Sequence, residues 1–259
     1  QVSLIIDTPL VNAILNDVHN QPGALPLLQY ALTEMYERRV GHRLSYEDYT
    51  DIGGISGALA KRAQEIYTTL NKDEQELARQ LFLRIIAVDE KGTVTRRRVI
   101  WSEIMTGMEK PEQLEKVISA FSQYRLLTID RDQATRTPTV EIAHEALIGE
   151  WQVLRQWIDE NSYTLQKRQE LLLEVERWRN NNFDKSYLAS GARLAEFEGL
   201  LDNDVLALRE KEREYIQDGI YEREADIRRA RRNNLILSGL SVVLLVASIF
   251  AILSFFNAN

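Results

Sequence analysis

His144-Glu145 sets an imidazole beside a carboxylate, the opening of the H-E-x-x-H pattern with which a helix holds zinc and a general base. No second histidine follows within reach of the same face. The other histidines, His19 and His42, lie far off in sequence with no visible partner, and cysteine is absent. A histidine-built metal site is therefore not expected, and zinc–cysteine, iron–sulfur, disulfide and thiol chemistry are excluded. No G-x-S-x-G elbow presents a serine nucleophile. The phosphate-gripping patterns G-x-x-x-x-G-K-[ST] and G-x-G-x-x-G are missing as well. Without that loop, its lysine and a magnesium ligand, the chain cannot bind and hydrolyse a nucleotide unaided. No residue is assigned a catalytic or metal-binding role, and the chain is not expected to be an enzyme on its own.

Two arginine clusters could bind without catalysing. Arg96-Arg97-Arg98 is the basic cluster of the central region. The bland reading is a solvated strand edge guarded by charge; the functional one is direct DNA recognition. Lys plus Arg number 32 against 39 Asp plus Glu, a net charge of −7 that argues against gripping nucleic acid by bulk charge. Arg228, Arg229, Arg231 and Arg232 form the second cluster, just before Leu235–Phe256, which reads LILSGLSVVLLVASIFAILSFF and carries no charge. At about 1.5 Å per residue that stretch covers roughly 30 Å, the thickness of a hydrocarbon core. Its serines can bond back to helix carbonyls. The expectation is one C-terminal transmembrane helix, a single-pass protein with residues 1–234 cytoplasmic by the positive-inside rule. The four arginines would hold anionic headgroups of the bilayer, at about 1 kcal/mol each. The mean hydropathy of −0.30 conceals this segregation. A start on Gln and a stop three residues after the span read as cuts in a longer protein.

The elements that must position these groups are mostly helical, with Pro 5 and Gly 12. Val11, Ile14, Leu15 and Val18 share one helix face, and Gln21–Pro26 interrupts it. Pro26 suits a first helical turn, ahead of a face with Leu27, Leu28, Ala31, Leu32, Met35 and Tyr36. Ser45–Asp48 fits a capping box, and Gly53-Gly54 with Gly57 marks a turn into a helix over Ala58–Leu70. Asn71 caps a helix expected to reach about Val88 on Leu77, Leu81, Phe82, Ile85 and Ile86. Thr93–Ile100 has strand composition, and Pro111 opens a helix carrying Leu114, Val117, Ile118 and Phe121. Leu126–Asp130 and Thr139–Ala143 form a hairpin with a longer loop. His144–Asn161 returns to helix on Leu147, Ile148, Trp151, Leu154 and Trp157. Helix, strand, helix, hairpin is the order of a winged-helix domain, placed at 71–160. Its groove-reading helix would be about Pro111–Tyr124, whose Glu112, Glu115 and Lys116 complement phosphate poorly. Further breaks fall near Asn180–Asn182, Ser190-Gly191 and Asp202–Asp204. Val205–Arg232 is dense in opposite charges at helical spacing and runs straight into the apolar span.

Longer stretches carry a resemblance. QPGALPLLQYALTEMYERR at 21–39, LSYEDYTDIGGISGALAKRAQEIY at 44–67, ARQLFLRII at 78–86, GTVTRRRV at 92–99, YRLLT at 124–128, VEIAHEALIGEWQVLRQWID at 140–159 and ASGARLAEFEGLL at 189–201 resemble the STAND-class NTPases. These are multidomain signal-transduction ATPases. The group they resemble is the novel STAND group found upstream of WD repeats in bacteria, especially cyanobacteria. The resemblance covers about residues 10–220. It implies an upstream P-loop core as partner, preceding Gln1, and a repeat domain downstream. It implies ATP or ADP with magnesium as cofactor of the full-length protein, and none for this chain alone. Gly23-Ala24-Leu25-Pro26 resembles the G-x-P element, so Gly23 and Pro26 would meet nucleotide, the proline against adenine. Ile142-Ala143-His144-Glu145 resembles the methionine-histidine-aspartate element, with Ala and Glu in place of Met and Asp, so His144 would touch the β-phosphate of ADP.

The resulting fold class is mainly α: a helical arm or lid over 1–70, the winged-helix domain over 71–160 with its small β-hairpin, a helical extension over 161–203, a charged stalk over 204–234 and the transmembrane helix over 235–256. The expected function is nucleotide-state sensing within a membrane-anchored STAND-type signalling ATPase. Two alternatives stand beside it: a membrane-anchored winged-helix regulator that binds DNA, and a stalk or scaffold for downstream repeats.

Overall fold

A computed structural model describes residues 4–20, 24–89, 91–106, 110–133, 135–201 and 208–257, with side chains as far as 248 and excepting Asn20. The chain is mainly helical with small sheets, and it divides into two units: Gln1–Glu170 with Asp202–Arg209, and Leu171–Leu201 with Glu210–Asn259.

In the first unit, β1 (Ile5–Ile6) pairs in parallel with β2 (Arg43–Leu44), and Arg43 grips Asp7 at 2.8 Å. That pairing closes a loop around α1 (Thr8–Asn20) and α2 (Ala24–Arg38). The buried face of α2 runs through Leu27, Tyr30, Ala31, Glu34 and Met35. Leu32 and Tyr36, expected on that face, are instead 37% and 38% exposed, because α2 turns its Tyr30–Glu34 edge inward. The Ser45–Asp48 capping box forms as the sequence reads, with reciprocal 3.1 Å bonds at the start of α3 (Tyr46–Asp51). Gly53 takes a φ of 89° before α4 (Gly54–Thr69), and a Cβ there would stand 3.0 Å from the Gly57 Cα.

Asn71 caps α5 (Lys72–Arg84) through a second reciprocal box with Glu74. The helix stops at Arg84, short of the expected Val88. Ile86, Ala87 and Val88 form β3 (Ile86–Val88), paired antiparallel with β4 (Val94–Arg96), and the Asp89 carboxylate accepts from Lys91 N and Thr93 N to close the turn. The β-branched residues of this stretch suit a strand once a partner is beside them. Thr93–Ile100 is likewise not one strand. It breaks at Arg97-Arg98, and β5 (Val99–Ile100) joins a different sheet, followed by a short helix, α6 (Trp101–Met105), that the periodicity does not mark.

Pro111 opens α7 (Pro111–Gln123), with Leu114, Val117, Ile118 and Phe121 buried as expected. The hairpin β6 (Leu127–Arg131) and β7 (Pro138–Ile142) pairs in register from Leu127–Ile142 to Arg131–Pro138, and β5 adds to its other edge in the order β5-β7-β6. The helix expected over His144–Asn161 is two: α8 (Ala146–Glu150) and α9 (Gln152–Asn180), parted by an extended Trp151. The break turns the Trp151 ring into the core, edge-on to Phe82 at 5.1 Å and Trp157 at 5.4 Å, and its indole N–H donates to Gln64 at 3.0 Å. One hydrophobic cluster runs from Leu10 to Leu165, so residues on both sides of position 70 share a core.

In the second unit, Trp178, Tyr215, Leu194 and Phe197 are buried between the end of α9, α10 (Gly191–Glu198) and α11 (Glu210–Asn257). Arg193–Glu174 and Arg223–Glu198 bind these helices at 2.8 and 2.7 Å. Asp202–Asp204, read as a break, and Val205–Ala207 lie outside the described residues. From Glu210 the charged segment and the apolar segment form one continuous helix.

Candidate functional site

His144 sits at the turn between β7 and α8. The Ala143 amide donates back to Leu126 at 3.0 Å, which ends the hairpin, and the His144 carbonyl accepts from Leu147 at 3.0 Å, which starts the helix. The imidazole is half-buried and stands edge-on to the Tyr30 ring of α2, with centroids 6.1 Å apart and planes at 67°. Burial and the neighbouring Arg96 cation both lower its pKa. At neutral pH the ring is therefore uncharged, able to donate through one nitrogen and accept through the other.

Pro26 is exposed in the first turn of α2, four residues before Tyr30 and so on the same side of the helix. Leu25 beside it is 72% exposed. Thus α2 carries both Pro26 and the ring that meets His144. Gly23 lies outside the described residues. His19 is exposed at the end of α1 and His42 is exposed just before β2.

Behind Tyr30 is an ionic cluster that sequence spacing does not reveal. Glu34 is 3% exposed and accepts from Arg62 of α4 at 2.5 Å and from Arg38 at 3.2 Å. Arg38 forks onto Glu65 at 2.9 and 2.7 Å. Arg62 lies over the Tyr124 ring at 4.5 Å. The Tyr30 hydroxyl is buried without a well-aligned hydrogen-bond partner, and burial together with the Glu34 charge raises its pKa. The only sequence signal for Tyr30 is its i,i+4 relation to Pro26.

The arginine triplet separates into three duties. Arg97 donates to Glu103 at 2.6 Å and to the Arg84 carbonyl at 2.8 Å. Arg98 pairs with Glu141 at 2.7 Å. Arg96 donates through Nη1 to the carbonyls of Ile142 and Ala143, at 3.2 and 3.1 Å. Glu103 also receives Arg168 at 3.1 Å and Arg209 at 3.4 Å. Burial alone would raise the Glu103 carboxyl, but Arg97, Arg209 and Arg168 outweigh it and hold the pKa below the usual range. Nearby Arg84, 1% exposed and bonded to the carbonyls of Ile104 and Thr106, is pushed down to about 10 by burial and by Arg168.

On α11, Arg228 pairs with Glu224 at 3.3 Å and Arg229 with Asp226 at 2.8 Å, while Arg231 and Arg232 are exposed. Among the described residues no group of three or more His, Asp or Glu side chains is arranged to hold a metal.

The family model described as novel STAND NTPase 1 matches residues 1–186. The chain belongs to that family. No curated protein and no solved structure matches it. The stretches that carry the family resemblance up to position 159 fall inside the match, so this STAND chain is an NTPase-related protein.

A nucleoside diphosphate needs N–H donors at its phosphates and apolar surface at its base. The neutral His144 ring and the Arg96 guanidinium form a donor set of the first kind. The exposed Leu25-Pro26 edge is surface of the second kind. Both kinds of group are present among the described residues.

Proposed function

We propose that this STAND chain is the regulatory, nucleotide-state-sensing part of a membrane-anchored signalling ATPase. In this reading an upstream P-loop core precedes Gln1, supplies the magnesium site and holds the nucleotide. Residues 1–70 are its arm, 71–160 a winged helix, 161–203 an extension, 204–234 a stalk and 235–256 a membrane span. A repeat domain of the WD type would follow. The observation that carries the reading is the edge contact between Tyr30 and His144, since it joins the helix of the Gly23–Pro26 element to the turn of the Ile142–Glu145 element.

The antiparallel order β5-β7-β6, with α7 between β5 and the hairpin, supports the winged-helix assignment. Bound ADP would supply the phosphate charge that the closed state recognises. His144, kept neutral by burial and Arg96, would donate an N–H toward the β-phosphate, and the family resemblance would bring Gly23 and Pro26 to the adenine. A neutral donor leaves no unpaired buried cation when the nucleotide departs, so the closed and open states can lie within a few kcal/mol. Exchange for ATP then biases the equilibrium toward release. DNA reading loses most of its basic patch, because Arg97 and Arg98 each pair with a carboxylate of the protein, Glu103 and Glu141.

The test is ADP retention in the polypeptide joined to its P-loop core. His144→Ala is expected to speed ADP release by about tenfold or more, the loss of one charge-assisted hydrogen bond. An unchanged off-rate would sink the switch role.

A further inference from the structure

Of the three arginines in the triplet, Arg96 alone reaches the turn that carries His144. Its strand, β4, pairs with β3, whereas the carbonyls it binds belong to the end of β7 in the other sheet. A single nitrogen, Nη1, takes both carbonyls. These are the two immediately before His144, so the bond fixes the direction in which the chain enters the His144 turn. The fork of a guanidinium is rigid, and anchoring one prong orients the other two donors. Nε and Nη2 of Arg96 have no protein partner among the described residues, and the side chain is exposed.

We infer that Arg96 is the positioning residue of His144 and that its unengaged N–H edge forms a second phosphate contact beside the imidazole. The inference rests on the nucleotide reading above and adds a residue to it. The ligand class is a nucleoside diphosphate, whose terminal phosphate would meet one neutral and one cationic donor. The His144 ring thus has the Tyr30 ring edge-on beside it and enters from a backbone that Arg96 braces. The lowered basicity of His144 agrees with a cation at this place.

Two readouts separate this inference from a merely structural role. The first is the imidazole titration of His144, followed by nuclear magnetic resonance in the 259-residue chain held in detergent micelles. Arg96→Gln removes the cation and is expected to shift the His144 titration upward, whereas Arg96→Lys keeps the charge and is expected to hold it near the parent value. The second is the ADP off-rate of the polypeptide that includes the P-loop core. Arg96→Gln is expected to release ADP about tenfold faster, and Arg96→Lys by less, since an ammonium keeps the charge but lacks the planar fork whose separate nitrogens face the carbonyls and the phosphate. Arg98→Gln, two residues along the chain, is expected to change neither. If His144→Ala speeds ADP release and Arg96→Gln does not, the Arg96 inference falls and the nucleotide reading stands. If neither variant alters release, the nucleotide reading falls and takes the phosphate contact with it. A His144 titration unmoved by Arg96→Gln overturns the positioning role.

Discussion

A buried carboxylate with two guanidiniums is stable only while all its members are present. Glu34 is 3% exposed, and Arg62 and Arg38 both point at it. Removing the charge leaves cations facing a desolvated site, which typically costs about 3–5 kcal/mol. Glu34→Gln is therefore expected to destabilise the chain by about 3 kcal/mol in urea unfolding, whereas Arg98→Gln, which breaks a pair whose arginine is 47% exposed, should cost under about 1 kcal/mol. Equal losses in the two variants would contradict this ranking. The same arithmetic gives a sign to pH. Glu103 has a depressed pKa in the folded chain, so its contribution is fully present above the ordinary glutamate value of about 4.3 and is lost as pH falls from there through the folded value. His144 is also depressed, so the folded state loses stability as pH falls below about 6.5. Two successive declines are expected when midpoint denaturant is plotted against falling pH, and His144→Gln should erase the upper one. Glu103 does not stand out in the sequence: it is one acid among many, and two of its arginines, Arg168 and Arg209, come from distant positions.

Elements obey local rules until a distant partner offers something better. Gly219 of α11 shows how close that competition runs, since a Cβ there would lie 2.8 Å from Leu194 Cδ1 and 3.3 Å from the Ala189 carbonyl oxygen. Leu194 is fully buried, so a shift of its side chain would press on the packing around it. Gly219→Leu is expected to cost about 1–3 kcal/mol by overpacking the α10–α11 contact, and Trp178 fluorescence should report the loosening of that small core. If Gly219→Leu unfolded at the parent midpoint, the close approach would be relieved at no cost and the argument would fail. Features set within a few residues were legible in the sequence: the Ser45–Asp48 capping box, the Asn71 cap, the α7 start at Pro111 and the β6–β7 hairpin. Features set by tertiary pairing were not. Ile85-Ile86 continues a helical period, yet Ile86–Val88 becomes a strand because Val94–Arg96 lies alongside. Trp151 fits a helical stripe, yet it is extended because its ring is needed between Phe82 and Trp157. The candidate site divides the same way. Pro26 and His144 could be named from their motifs and Arg96 from its basic cluster, but the contact of Tyr30 with His144 and the bond from Arg96 to the turn follow only from packing.

At the scale of the whole chain, solvation is the unresolved tension. Along α11, Leu235, Leu237, Val242, Val243, Leu244 and Leu245 are each 61–74% exposed, and the apolar window of this helix is not buried at all. A run of this kind is far larger than the apolar patches that soluble monomers leave in water. It is long and apolar enough to cross a bilayer, and four arginines stand at its N-terminal side. A lipid environment would remove the conflict without any change of fold, because a helix already satisfies its own backbone. Expressed in a bacterium, the 259-residue chain is therefore expected to stay with membranes after alkaline carbonate washing, and a chain ending at Asn234 to leave with the supernatant. Leu245→Arg, near the middle of the apolar run, should reduce insertion by about 2.5–3.5 kcal/mol, whereas the same change at Tyr221, upstream of the collar, should not. Residues 1–234 would be protected from protease added outside intact cells, and replacing Arg228, Arg229, Arg231 and Arg232 with Gln should lessen that protection by weakening the orientation signal. Full recovery of the 259-residue chain in the soluble fraction would mean instead that α11 is covered by protein, as the core helix of a larger assembly would be.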